Sequence, residues 1–375
     1  MFKYAKAFGS ASLVATLMLC TYGSVAATPP GYPDTRTALQ RLTEADGAPG
    51  ALLEVRDAHG RTVLTSGVAN RDTHAPMTGD ARFRIGSMTK IFVATVVLQL
   101  VGEGRLDLDA PVERYLPGVV RGDGYDGHDI TVRQLLQHTS GLPDYVDFLD
   151  LTQITTSPAT HHDPMELVRL ALAQPRTFAP GTGWHYSNTG YLLAGMIIDK
   201  VTGHPYAEEI DSRIIRPLAL TDTLVPGDDQ EIPGTHSQGY LKSADSMVDI
   251  TRFNPTVAGA SGAMISTASD LNRFLDALVN GRLLRPAELQ AMMTTRPTGD
   301  SDGSAYGLGL ISTPLPCGGS YWNHDGGTPG FRSLGGATSD GRTATAMANL
   351  LAPGDDILAA DLSAAVTTAL CESAR

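Results

Sequence analysis

Phe83-Arg-Ile-Gly-Ser87-Met-Thr-Lys90 runs straight into Ile91-Phe-Val-Ala-Thr-Val-Val-Leu-Gln-Leu-Val101. The first part reads as a strand end followed by a turn. The second reads as an apolar helix, Met88 to Val101, stopped by Gly102 and Gly104. Ser87 then stands at the helix start, with Lys90 three residues on and on the same face. A serine hydroxyl is a poor nucleophile until something takes its proton. A neighbouring buried ammonium can ease formation of the alkoxide or shuttle the proton. The helix N-terminus adds positive potential where an oxyanion would develop. In isolation the same four residues also fit a Ser cap beside a solvated Lys.

Outward from this segment the pattern is split. Before it, Thr37 to Ala45 reads as a helix, and Ala51 to Arg56 and Thr62 to Val68 read as strands joined at His59-Gly60. After it, from Leu106 to about Ala260, short helices alternate with polar loops. These helices are Thr131 to Gln137, Met165 to Ala173, Tyr191 to Val201 and Ala207 to Ile214. Strand patterns return at Tyr306 to Ile311, Tyr321 to His324, Phe331 to Ala337 and Thr343 to Leu350, with Asp340-Gly341 as a hairpin turn. Ser266-Thr-Ala-Ser-Asp opens a helix to Asn280, capped by Gly281, and Asp355 to Leu370 is a last helix. The layout predicts one sheet built from both ends of the chain, with a mainly helical domain inserted. The expected boundaries are 1–27 for an export signal, 28–105 with 262–375 for the sheet domain and 106–261 for the helical one. The active site is expected at their junction.

The chain has 375 residues, of which 42% are hydrophobic and 18% charged, an ordinary globular composition. Lys and Arg number 28 against 40 Asp and Glu, a net charge of −12 that disfavours nucleic acid as a partner. Lys3 and Lys6, the apolar run Ala11 to Cys20 and the small residues Ser24-Val-Ala-Ala27 read as a secretory signal peptide cut near Ala27. The apolar run is too short to span a membrane, so no anchor is expected. Cleavage would leave a net charge of −14 and remove Cys20. Cys317 and Cys371 remain, and an even pair in an exported protein suggests one disulfide, with two buried free thiols as the alternative. Closing that loop stabilises by about 4 kcal/mol in the chain-entropy model.

Two further stretches carry polar residues suited to chemistry. Tyr186-Ser-Asn188 lies among Gly/Pro turns after Trp184 and before a helix. A Tyr phenol near a Lys can titrate low enough to act as a base, and Asn188 can orient Lys90 or a substrate amide. A core Tyr with a capping Asn is the structural alternative. His324-Asp325-Gly326-Gly327-Thr328 ends a late strand, where the glycines let a substrate approach the backbone or mark a bulge. Three other features carry less. Gly122 to Gly127 fits a phosphate-loop pattern with two Asp inside it, so it reads as a loop. The His161-His162 pair lacks a ligand partner pattern, so no metal is expected. His138 reads as a helix-end or core histidine.

Ser-x-x-Lys, Tyr-x-Asn and His-x-Gly, in this order and at these spacings, resemble the three motifs of the serine penicillin-recognising enzymes. The resemblance runs from about Asp34 to Cys371 and includes Leu106-Asp-Leu-Asp109, Leu135-Leu-Gln-His-Thr-Ser-Gly-Leu142 and Tyr306-Gly-Leu-Gly. It is to the class C β-lactamase branch, and within it to secreted D-alanyl-D-alanine carboxypeptidases that share the late Cys pair. It implies a β-lactamase-like α/β (α+β) fold: an antiparallel sheet flanked by helices, with the inserted helical domain. It implies a serine hydrolase acting through an acyl-enzyme on peptides or small acyl compounds, reactive with β-lactams. It implies no cofactor, and the expected state is a monomer. Ser87 would attack, and Lys90 would assist. Tyr186, hydrogen-bonded to Lys90 and His324, would relay protons, and Asn188 would complete the set. The backbone N–H groups of Ser87 and Gly327 would form the oxyanion hole, with Asp325, Gly326, Thr328 and Trp184 around the substrate.

One departure bears on substrate. The carboxypeptidases carry His-Thr-Gly-Thr where this chain has His324-Asp-Gly-Gly327, and an Arg where it has Ile311. Those groups hold a terminal carboxylate. Their loss here predicts a preference for esters, amides or peptides with a nearby amine, as in D-aminopeptidase-like relatives. An Asp325 turned away from the cleft is the alternative.

Overall fold

A computed structural model describes residues 31–372 except 123, 151, 243–245, 352, 353 and 355. The expected signal peptide with Cys20, and residues Asp123 and Asp355, lie outside the described residues.

The first strands of the chain do pair with the last. Gly50–Asp57 (β1) and Gly60–Gly67 (β2) form a hairpin. The late strands are Arg296–Pro297 (β3), Ala305–Tyr306 (β4), Ile311–Pro314 (β5), Ser320–Thr328 (β6), Phe331–Thr338 (β7) and Thr343–Ala348 (β8). The sheet order is β2-β1-β8-β7-β6-β5-β4-β3, antiparallel throughout. β1 meets β8 from Ala51↔Ala348 to Arg56↔Thr343. Alternation along β1 sorts its side chains between two layers. Ala51, Leu53 and Val55 pack under the helices Pro33–Glu44 (α1) and Asp356–Cys371, while Leu52 faces the opposite core.

That opposite core holds the helix Thr89–Gly102 (α2), whose residues from Thr89 to Leu98 are all buried. A helix apolar on every side has no solvent face to offer, so Lys90 is carried into the interior with it. The expected helix after Ser266 is Ala268–Val279, capped by Thr267 and ended by Gly281 at φ +70°. Cys317 and Cys371 form a disulfide. Among the described residues no helix is long and apolar enough to cross a membrane.

The expected strand Tyr306 to Ile311 is instead a strand end, a turn and a new strand. The apolar alternation of Tyr306, Leu308 and Leu310 resembles a strand, but two glycines bend the chain. Gly309 sits at φ +80°, and a Cβ on Gly307 would lie 2.1 Å from the Met292 carbonyl.

A second pair of close approaches sets the strand that borders the site. β5 pairs with β6 only as far as Asn323. Beyond it, the free edge of β6 is met by the turn before α2. A Cβ on Gly326 would stand 2.0 Å from the Ile85 carbonyl oxygen and 2.6 Å from Ser333 Oγ. Gly86, at φ +52°, presses on the backbone of Gly327. A Cβ on Gly327 itself meets only Leu351 Cδ1, at 3.8 Å. Gly326→Ala is therefore expected to cost about 1–3 kcal/mol in urea unfolding, the usual penalty of overpacking. Gly327→Ala is expected to stay within about 0.5 kcal/mol; equal losses would refute the packing argument.

Candidate active site

Ser87 lies in a single tight turn, Gly86–Met88, that leads into α2. Lys90 follows one turn later, and its Nζ is 3.0 Å from Ser87 Oγ. Two other partners fix the amine: Asn188 Oδ1 at 2.6 Å and the Ser261 carbonyl at 2.8 Å. Both can only accept a hydrogen bond. Asn188 opens the helix Asn188–Thr202 (α3), and its Nδ2 donates to Asp144 Oδ2 at 2.7 Å. That bond turns the amide so that its oxygen faces Lys90. Burial lowers the Lys90 amine to about 7, against the opposing pull of Asp144 and Asp325. A neutral amine has two N–H groups for the two carbonyl oxygens, which leaves its lone pair directed at the Ser87 hydroxyl.

Tyr186 reaches the same point from the loop before α3. Lys90 Nζ lies over its ring, 4.8 Å from the centroid. The phenol rises well above its ordinary value through desolvation, reinforced by Asp325 and opposed by Ser87. Two sequence expectations are corrected here. Tyr186 is a protonated phenol and not a low-titrating base. It is also not hydrogen-bonded to Lys90 or His324; the amine takes its ring face, and the histidine has another partner. His324 Nε2 is 2.9 Å from Tyr306 Oη, and its Nδ1 is 2.6 Å from the Asp325 carbonyl. The carbonyl requires the proton on Nδ1, so Nε2 accepts from Tyr306. Burial lowers His324 to about 4, which keeps it neutral.

His138 completes the cluster as a buried core histidine. Its ring centroid lies 4.3 Å from that of Tyr186 and 4.6 Å from that of Tyr306. Its Nδ1 accepts the Ser187 N–H at 3.1 Å, and burial drives its pKa well down. Sequence reasoning missed Asp144, Ser261 and Tyr306 as members of the site. Tyr306 stood in a stretch already matched to relatives, and that was the available signal.

A cavity of about 300 Å³ reaches Tyr186 at one end and runs across β4, β5, β6 and β7 to the C-terminal helix, where Ala359, Leu362 and Ser363 line it; Ser87 and Lys90 are not among its lining residues. Trp184 walls it, with a buried Nε1 that has no protein partner. Asp325 lines it with an exposed side chain, so the carboxylate does face the cleft. Ile311 and Arg332 line it too, and Arg332 lies opposite Gly327 in the register. Gly326 and Thr328 do not join them. They alternate with Asp325 and Gly327 along β6 and are buried against the protein. Of the lesser features, Gly122 belongs to a small hairpin with Tyr125, and His161 Nδ1 pairs with Asp228 Oδ1 at 2.6 Å.

The chain as a whole is similar to known proteins. A D-stereospecific amidohydrolase from Streptomyces sp. superposes with a TM-score of 0.81 at 42% identity, over 86% of this chain and 95% of its own. The D-amino acid amidase of Ochrobactrum anthropi SV3, complexed with D-phenylalanine, gives 0.78 at 32% identity, over 90% and 98%. Penicillin-binding protein 4* of Bacillus subtilis (strain 168) is 29% identical over 279 residues, 72% of this chain but only 60% of that protein's length. The family model named Beta-lactamase matches residues 35–368, and the chain belongs to that family of serine hydrolases.

Proposed function

We propose that this protein hydrolyses amides of D-amino acids, or peptides with a free N-terminal D-residue, through an acyl-enzyme on Ser87. The observation that carries this reading is Asp325. An exposed carboxylate in the cleft, beside Ile311, favours a substrate ammonium and repels a terminal carboxylate. The similarity to two amide hydrolases with D-stereospecific names supports it.

The steps follow from the side chains. The neutral Lys90 amine takes the Ser87 proton as Oγ attacks the amide carbon. The backbone N–H groups of Ser87 and Gly327 receive the developing oxyanion; one such donor contributes about 3 kcal/mol. Tyr186, held protonated, donates to the leaving nitrogen and is reprotonated from Lys90. The C–N bond breaks and leaves the Ser87 ester. Water, losing its proton to the Lys90 amine, then bonds to the acyl carbon; the Oγ–C bond breaks, Lys90 returns the proton to Ser87 Oγ, and the acid leaves. Tyr306 and His324 hold the strand end beside Tyr186, and Asn188 holds Lys90.

A second reading is a D-alanyl-D-alanine carboxypeptidase, which the sequence resemblance implies and Arg332 in the same cavity favours. In that case Arg332 holds the terminal carboxylate. Reactivity with β-lactams, a monomeric state, export by the N-terminal signal and the division into a 28–105/262–375 domain and a 106–261 domain belong to the same proposal.

The test is a turnover panel with Ser87→Ala as the blank. It comprises a D-amino-acid amide, its L-enantiomer, a D-Ala-D-Ala peptide, a short-chain ester and nitrocefin. The D-amide is expected to have the highest kcat/KM. Faster release from the D-Ala-D-Ala peptide would establish the second reading instead.

A further inference from the structure

Behind the catalytic cluster lies another cavity, of about 380 Å³. Its walls are apolar: Leu192 and Met196 of α3, Tyr206, Val225, Ala260 and Ala263. Small residues make the space. Gly195 packs so closely on the 259–261 turn that a Cβ would lie 2.6 Å from Ala260 Cβ, and Gly259 holds φ +47°. A solvent-accessible apolar hollow of this size falls in the range of small-molecule sites.

Its mouth differs from the catalytic cleft in having no counterpart to Arg332. Asp199 and Asp228 are both exposed carboxylates there, and no Lys or Arg lines the cavity. Asp199 receives one backbone N–H, from Tyr206. Asp228 is held by Asn254 Nδ2 at 3.0 Å and by His161. His162 also borders the mouth, and burial lowers its pKa, which keeps it uncharged at neutral pH. An apolar hollow with a negative rim complements a molecule with an apolar body and one ammonium group.

Its position gives it a second property. The floor contains Gly259 and Ala260, next to Ser261, whose carbonyl holds Lys90 Nζ. One wall is α3, whose first residue is Asn188, the other anchor of that amine. A molecule seated here would touch both elements that fix Lys90, without entering the cleft.

We propose that this cavity is a second binding site, for a small apolar ammonium compound, placed back-to-back with the anchors of Lys90. The probe is phenethylammonium, titrated into the full-length Ser87→Ala protein by calorimetry and by NMR. No turnover is needed, so the result is independent of the proposed activity. In the same protein also carrying Asp325→Thr, which removes the ammonium partner in the catalytic cleft, one saturable site is expected, with a dissociation constant below about 1 mM, a level reached by about 4 kcal/mol of binding free energy. Ala263→Phe fills the floor, and Ala207→Trp, on the half-buried rim, closes the mouth without touching the floor. Each is expected to weaken binding at least tenfold, and Asp199→Asn at least threefold. 3-Phenylpropionate, of the same shape and opposite charge, should not saturate. The proposal fails if phenethylammonium does not saturate, or if 3-phenylpropionate binds equally well. It also fails if whichever of the two filling variants folds binds as tightly as the parent, which would put the probe in the catalytic cleft.

Discussion

In Lys90→Met, acylation of Ser87 by a fluorescent penicillin is expected to fall about a thousandfold, the middle of the range for loss of a general base. The parent rate should climb with pH through an apparent pKa near 7 and then level off. The variant's residual rate should be flat across that window. The reasoning rests on the lone pair. Above about 7 the buried amine is neutral, and Asn188 and Ser261 occupy both of its N–H groups. Below it, the ammonium spends its third N–H on Ser87 Oγ and has nothing left to accept a proton. Stability follows the same group. Its folded pKa is depressed from 10.5, so between about 7 and 10.5 the unfolded chain binds the extra proton. Stability from this residue therefore rises with pH across that interval, and the cost of burying the charge is fully present below it. Lys90→Met should lose that slope in urea unfolding measured at pH 6, 8 and 10. A parent rate that declines above pH 7 would show that the ammonium form is the active one.

The outline of the fold was legible because local pattern and packing agree at its two ends. The strand pair at Ala51 to Arg56 and Thr62 to Val68 and the turn at Asp340-Gly341 both survive in the sheet. The pairing of Ser87 with Lys90 was also legible, since it needs only the period of one helix. The rest of the site depends on distant register. Tyr306 meets His324 because β4, β5 and β6 stack in one order, and no spacing rule links residues 18 apart across two turns. Asp144 acts 44 residues away through Asn188. From the sequence it is one acid in a polar loop. The role expected of the glycines does not hold at Gly326. Gly326 is required by the Ile85 carbonyl and not by a substrate, a packing demand that only the folded chain reveals. The titration of Tyr186 was misjudged for a related reason. The sequence placed a cation near the phenol but could not show that desolvation and Asp325 outweigh it.

Asp325→Thr is expected to lower kcat/KM for a D-amino-acid amide by ten- to a hundredfold, and to raise it for a D-Ala-D-Ala peptide. In free protein the carboxylate is exposed, where an ion pair contributes at most about 1 kcal/mol. A bound substrate covers it, and a charge-assisted hydrogen bond then contributes about 1.5–3 kcal/mol, which sets the expected range. The charge, more than the shape, is what is tested, so the substrate provides the control. An N-acetylated D-amino-acid amide has no ammonium, and its turnover should change less than threefold in the variant. The rise for the carboxylate substrate comes from the other direction. Removing Asp325 ends a repulsion and supplies a hydroxyl donor, while Arg332 remains in the cavity to bind the anion. Arg332→Ala in the Asp325→Thr background should cancel that rise. Equal losses for the free and acetylated amides would mean that Asp325 acts by holding His324 and the end of β6, and that amine selectivity is seated elsewhere.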